Sequence, residues 1–185
     1  MIIDALLTFV PPTAPLSLVS AAAGYTARSF VIDELGQGVG TAPLSIIGNR
    51  SVFGSDMGID WVKPRIMITV GTAFATSTSA TLNIQFQGSV DSGAAGVPAY
   101  SPNAWTTYIE TGAIAASNLT ANAQIRMDFA NSIPFSVLPR FYSLNFVVAP
   151  TASGIFTAGT ISSAVVTMVT DDYKVAYAAK NYTVV

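Results

Sequence analysis

The sequence contains no histidine and no cysteine, and charge is scarce: eight Lys and Arg and ten Asp and Glu among 185 residues. Each absence removes a class of chemistry. Without histidine there is no side chain that titrates near neutral pH in its unperturbed state, so the usual general base is missing. Without cysteine there is no disulfide, no thiolate nucleophile and no Cys-ligated metal. The eight basic residues are scattered, and only Lys63 and Arg65 share a face of an expected strand. The chain therefore offers no basic cluster to neutralise phosphates, and no nucleic-acid partner is expected.

Long apolar runs are also missing. Leu16 to Ala23 is too short to span a bilayer, and no uninterrupted run of 18 apolar residues occurs elsewhere. No membrane association is expected. The opening MIIDALLTFVPP does not fit a secretion signal, because it has no basic start, carries Asp4 and meets Pro11 and Pro12.

What is present is apolar and β-forming. Hydrophobic residues make up 51% of the chain and charged residues 10%, against about 25% charged in a typical soluble chain. Aromatic and β-branched residues are too plentiful for disorder. Extensive contact between subunits is the first explanation for so little charge, and a neutral surface rich in Ser and Thr is the alternative.

From residue 61 onward, apolar residues alternate with Ser, Thr, Asn or Gln. Trp61 to Val70 is expected as a strand with Ile66, Ile68 and Val70 on one face. Thr81 to Gln87 alternates closely: Leu82, Ile84 and Phe86 inward, Asn83, Gln85 and Gln87 outward. A slip of one residue would bury three amides, so the register is strongly specified. Trp105 to Glu110 is a further strand. Ile125, Met127 and Phe129 alternate with Arg126 and Asp128. Arg140 to Val148 places Tyr142, Leu144, Phe146 and Val148 on one face, and Thr160 to Thr170 is apolar on both faces. The segment 72–79 is expected as a small polar turn. Residues 111–120 are expected as a connection anchored by Ile114 and Leu119, with one helical turn as the alternative.

Residues 1–60 differ. The segments 2–10, 16–23 and 29–35 are candidate strands, but Pro11, Pro12 and Pro15 break the first two apart, so residues 1–20 suit an extended N-terminal arm, with Leu6, Leu7, Phe9 and Val10 packing on a sheet or on a neighbour. Residues 36–60 form a glycine-punctuated insert loop whose Leu44, Ile46, Ile47 and Phe53 are expected to lie against something. A Pro- and Gly-rich loop follows near 90–103, and residues 173–185 form a tail. Six to nine strands, few helices and long loops predict one all-β domain over 1–185: an antiparallel two-sheet β-sandwich, jelly-roll-like, with extended terminal segments.

Catalytic patterns are weak. Gly36-Gln37-Gly38-Val39-Gly40 lacks the strand-to-helix context and the Lys-Ser/Thr ending of a phosphate loop. The carboxylate pairs Asp33 with Glu34, Asp56 with Asp60 and Asp171 with Asp172 are conceivable glycosidase pairs, but solvated turns and ion pairs explain them more simply. Asp56 and Asp60 do not have EF-hand spacing for calcium. Trp61, Trp105, Tyr100 and Tyr108 suit a sugar platform or, more simply, packing in a core or interface. No enzymatic activity, cofactor or metal is expected. Arg126 and Arg140 are expected in salt bridges between subunits, and Tyr177 on a tail reaching another copy.

Several segments carry a family resemblance. They are Met1-Ile2-Ile3-Asp4, Ser29 to Gly36 (SFVIDELG), Ser79 to Gln87 (SATLNIQFQ), Tyr108 to Ile114 (YIETGAI), Pro139 to Phe146 (PRFYSLNF) and Gly154 to Ile161 (GIFTAGTI). In this order and spacing the chain resembles the Bbp16-like capsid cement, or decoration, proteins of tailed bacteriophages. The resemblance implies a jelly-roll sandwich on the outer surface of the virion. It implies a homo-oligomer, trimer favoured and dimer possible, that binds the phage major capsid protein and ties neighbouring subunits together. Core positions would be Leu82, Ile84, Phe86, Tyr142, Leu144 and Phe146. Assembly contacts are expected at Ile2, Leu6, Phe9, Leu44, Ile47, Phe53, Arg126, Arg140 and Tyr177. The insert at 36–60, the loop at 90–103 and the tail depart from shorter members. The competing classes are a carbohydrate- or receptor-binding module of a phage tail, fibre or surface structure, and a carboxylate hydrolase.

Overall fold

A computed structural model of the protein describes residues 3–19, 24–33, 64–77, 79–92, 102–128, 139–149 and 154–168. The expected insert loop at 36–60 and the tail at 173–185 lie outside these residues. The strands are β1 (Ile3–Val10), β2 (Leu16–Ser17), β3 (Thr26–Arg28), β4 (Ile32–Asp33), β5 (Pro64–Val70), β6 (Ala75–Thr76), β7 (Thr81–Ser89), β8 (Thr106–Glu110), β9 (Ile114–Ala115), β10 (Gln124–Asp128), β11 (Phe141–Ala149), β12 (Phe156–Ala158) and β13 (Thr160–Met168).

They form two main sheets, antiparallel throughout the described pairings. One has five strands in the order β1-β13-β5-β10, with β2 also on β13. The other has six in the order β3-β11-β7-β8, with β4 on β11 and β9 on β7. A two-stranded sheet joins β12 to β6. The architecture is all-β, two-sheet and long-looped.

Alternation sets which face of each strand is buried. In β7, Leu82, Ile84 and Phe86 are fully buried, and on the facing β11 Tyr142, Leu144, Phe146 and Val148 are buried too. Nine residue pairs, from Phe141↔Ser89 to Ala149↔Thr81, join these two strands without a break. In the other sheet Ile66, Ile68 and Val70 of β5 face the same core, with Met127 of β10 and Ile161, Ala164 and Val166 of β13. The strand expected to start at Trp61 is described from Pro64; a proline is tolerated as the first residue of a strand, where its missing N–H interrupts little of the ladder.

Residues 3–10, expected as a strand or as an arm packing on a sheet or on a neighbour, form β1 of the chain's own five-stranded sheet, paired with β13. Its pairing shifts register between Thr8 and Val10, and Phe9 and Val10 are both buried. Phe9, expected at a subunit contact, instead meets Phe86 of the opposite sheet edge-on, with ring centroids 6.1 Å apart. Its apolar area is spent inside the sandwich. Phe30 N–H donates to the Phe9 carbonyl at 3.0 Å, so the segment after β3 closes this end of the core.

The segment 72–79 is more than a polar turn. Phe74 is buried and packs edge-on against Phe156, with centroids 4.8 Å apart. The β6–β12 pairing sits beside this contact. Residues 111–120 combine both expectations: β9 supplies a two-residue pairing, one 3-10 turn spans Ala116–Asn118, and Leu119 is fully buried behind it.

Candidate binding face

The outward face of the six-stranded sheet gathers four amides, Asn83, Gln85, Gln87 and Asn145. The same alternation that sends Leu82, Ile84 and Phe86 inward sends Asn83, Gln85 and Gln87 outward, and the registers align them with residues of three neighbouring strands. Arg28 of β3 lies opposite Asn145 of β11, Asn145 opposite Gln85 of β7, and Gln85 opposite Glu110 of β8. This polar row crosses four strands. At the usual spacing of about 4.8 Å between strands it is roughly 14 Å long. A second row places Ser143, Gln87 and Thr107 side by side.

The side chains hold one another. Asn145 Nδ2 donates to Gln85 Oε1 at 3.0 Å, and Gln87 Nε2 donates to the same oxygen at 3.2 Å. Gln87 Nε2 also reaches Thr107 Oγ1 at 2.9 Å, and Arg28 Nη2 donates to Gln87 Oε1 at 2.8 Å. At the far end Glu110 Oε2 accepts from Asn83 Nδ2 at 3.0 Å and from Gln85 Nε2 at 3.3 Å. These two bonds, Asn83 first, hold the Glu110 carboxyl below the usual glutamate range, because they favour its charged form.

The Arg28 guanidinium lies 4.1 Å from the centroid of the Trp105 ring, a cation–π contact that fixes its plane. Burial lowers the Arg28 pKa from its ordinary value. An arginine stays charged under such a shift, so the effect is a less hydrated, more fixed donor.

Burial divides this face in two. Gln87, Ser89, Phe141 and Ser143 are covered, while Arg28, Thr107 and Glu110 are exposed and Asn83, Gln85 and Asn145 lie between. Gln87, expected to face solvent, is thus outward-pointing but buried, and its partners on β3 and β8 satisfy it. The covered end also holds a hydroxyl pair, Ser29 Oγ and Ser143 Oγ at 3.1 Å. Ser29 Oγ accepts the Leu144 N–H at 2.9 Å.

The predicted contact residues separate. Ile2, Leu44, Ile47, Phe53 and Tyr177 lie outside the described residues, and Leu6 is placed on β1. Arg126 and Arg140, expected to bridge subunits, are both engaged within the chain. Arg140 Nη1 meets Asp91 Oδ2 at 2.6 Å, and its guanidinium lies 4.9 Å from the Phe141 ring centroid. Arg126 Nη2 is 3.1 Å from Asp128 Oδ2, whose other oxygen is 2.7 Å from Arg65 Nε. Neighbouring strands bring these partners together: Asp128 stands opposite Arg65 across β10 and β5.

Of the expected sugar platform, Trp61 and Tyr100 lie outside the described residues. Tyr108 turns into the sandwich, its ring 6.3 Å from that of Phe86, and burial raises its pKa. Trp105 remains half-exposed beside Arg28. The carboxylate pairs near 56–60 and 171–172 also lie outside. Among the described residues no three Asp or Glu side chains gather as a metal-binding group would. The polar row was missed as a unit because its members come from four separated segments; the alternation of Asn83, Gln85 and Gln87 was the only local signal.

No protein-family model matches the chain, and no curated protein matches it in sequence.

Proposed function

We propose that the chain is a jelly-roll capsid cement protein. It binds the outer surface of a bacteriophage major capsid lattice as a homo-oligomer and bridges neighbouring subunits. The observation that carries this reading is the strand order. A long antiparallel hairpin of eight strands pairs its first strand with its last and works inward to a central turn. Rolling that hairpin sends alternate pairs into two facing sheets, which is the jelly-roll arrangement of capsid and lectin domains. The four pairs β1–β13, β3–β11, β5–β10 and β7–β8 occur here, alternate pairs in alternate sheets.

Three further features support it. The segments that resemble the cement family include most of β7 and most of β11, the longest uninterrupted pairing among the described strands. The ion pairs Arg140–Asp91 and Arg65–Asp128 brace the chain internally, as a rigid clamp requires. Phe30 is 60% exposed, a large apolar side chain available to a partner. Cementing a lattice calls for surface and stiffness and for no reactive side chain.

Light scattering of the protein, alone and mixed with undecorated phage heads, tests the proposal. The expected result is a stable oligomer that moves onto the heads, with a Phe30→Ser variant of unchanged melting behaviour showing lower occupancy. A monomer that ignores the heads overturns it.

A further inference from the structure

We infer that the exposed end of the amide-lined face binds an uncharged oligosaccharide. Unspent hydrogen-bonding groups held in fixed positions favour such a ligand, independently of the capsid reading.

Along the row, the internal bonds consume some atoms and leave others. Glu110 Oε2 takes both amide donors, leaving Oε1 without a partner among the described residues. Asn145 donates through Nδ2, leaving Oδ1 to accept. Arg28 uses Nη2 on Gln87, and among the described residues no partner takes Nη1 or Nε. The face therefore offers donors at one end, an acceptor between and an acceptor at the other end, over roughly 14 Å. Sugar hydroxyls both donate and accept, so a chain of two or three pyranose rings matches this series along its length.

Pre-organisation distinguishes these groups from ordinary surface polar atoms. Arg28 is held over the Trp105 ring and in position by Gln87, which is itself buried. Gln85 is gripped from Asn145, Gln87 and Glu110 at once. Side chains already ordered lose little rotamer freedom when a ligand arrives. The chemistry of the row also selects the ligand class. With one cation at one end and one carboxylate at the other, it favours neither a polyanion nor a polycation. It has no apolar centre of the kind that dominates protein–protein hot spots.

An array of neutral hexasaccharides (maltohexaose, cellohexaose, mannohexaose and chitohexaose) with heparin as the anionic control tests the assignment on the intact protein. At least one neutral member is expected to bind and to change Trp105 fluorescence. Arg28→Ala and Asn145→Ala should each weaken that binding at least tenfold. Glu110→Gln, an exposed and nearly isosteric change that leaves the fold intact, should do the same. Gln124→Ala on the other sheet should leave it unchanged. No binding to any neutral member, binding to heparin alone, or neutral binding that survives both Glu110→Gln and Asn145→Ala overturns the inference.

Discussion

The rings of Phe86 and Tyr142 lie parallel to within 3°, their centroids 5.5 Å apart, on adjacent strands of the six-stranded sheet. Phe9 and Tyr108 close on Phe86 from two other directions. Phe86 is thus the point where β1, β7, β8 and β11 meet. Phe86→Ala is expected to destabilise the protein by about 3–5 kcal/mol, the range for a fully buried phenylalanine. Urea denaturation checks it, and a loss below about 1 kcal/mol would mean that the cluster is not central to the fold.

Gly159 precedes the bulged start of β13 with φ +141°, a conformation that side chains rarely adopt, and the Phe74 ring fills the space where a Cβ would lie. Gly159→Ala should cost roughly 1–3 kcal/mol, as overpacking does. Pairing it with Phe74→Leu should recover part of that loss, because the clash is with the ring. A thermal melt of both variants reads the difference.

The two ion pairs differ in worth because they differ in exposure. The Arg140 side chain is 11% exposed and meets Asp91 at 2.6 Å. Arg140→Ala should lose about 2 kcal/mol, as expected for a charged hydrogen bond with little water around it. Arg126 is 55% exposed, and Asp128 keeps Arg65 without it. Arg126→Ala should change stability by less than about 0.5 kcal/mol. Equal losses would contradict this ranking.

Glu110 sets a pH dependence of known sign. Its pKa is lowered in the folded chain, so its contribution is present above the ordinary glutamate pKa and is lost as pH falls through the lowered one. Carboxyl-resolved NMR should place the Glu110 midpoint below that of an unstructured glutamate. Asn83→Ala should raise it, because the Asn83 amide is the first cause of the shift. An unmoved midpoint in Asn83→Ala would assign the cause elsewhere.

Local alternation made much of the sandwich legible. Leu82, Ile84 and Phe86 repeat every second residue, and so do Tyr142, Leu144, Phe146 and Val148; period two is enough to assign their faces. What alternation cannot carry is the identity of a distant partner. Gln87 has the pattern of a solvent-facing amide, and Arg28 and Thr107, brought in by other strands, give it partners that allow it to be buried. Phe74 sits among small polar residues, so nothing local marks it as core until Phe156 arrives from far along the chain. Phe9 follows the same logic: next to Pro11 and Pro12 it resembles part of a loose arm, yet the strand that claims it lies near residue 165. Arg126 and Arg140 read as partners for another subunit because Asp91 is distant in sequence from Arg140 and the Arg65–Asp128 pairing beside Arg126 depends on register.

The pairing of Ile3 with Thr167 has a consequence for how the chain is made. On the ribosome, the first strand emerges long before its partner exists. It must wait, its apolar residues uncovered, until β13 has been synthesised. The β7–β8 hairpin, with Gln85 opposite Glu110, can close early because little chain separates its strands. Among the described pairings, that of β1 with β13 closes the longest stretch of chain and so carries the largest loop-closure cost. Pairings of such long sequence separation slow folding, and β1 is the strand left longest without its partner during translation.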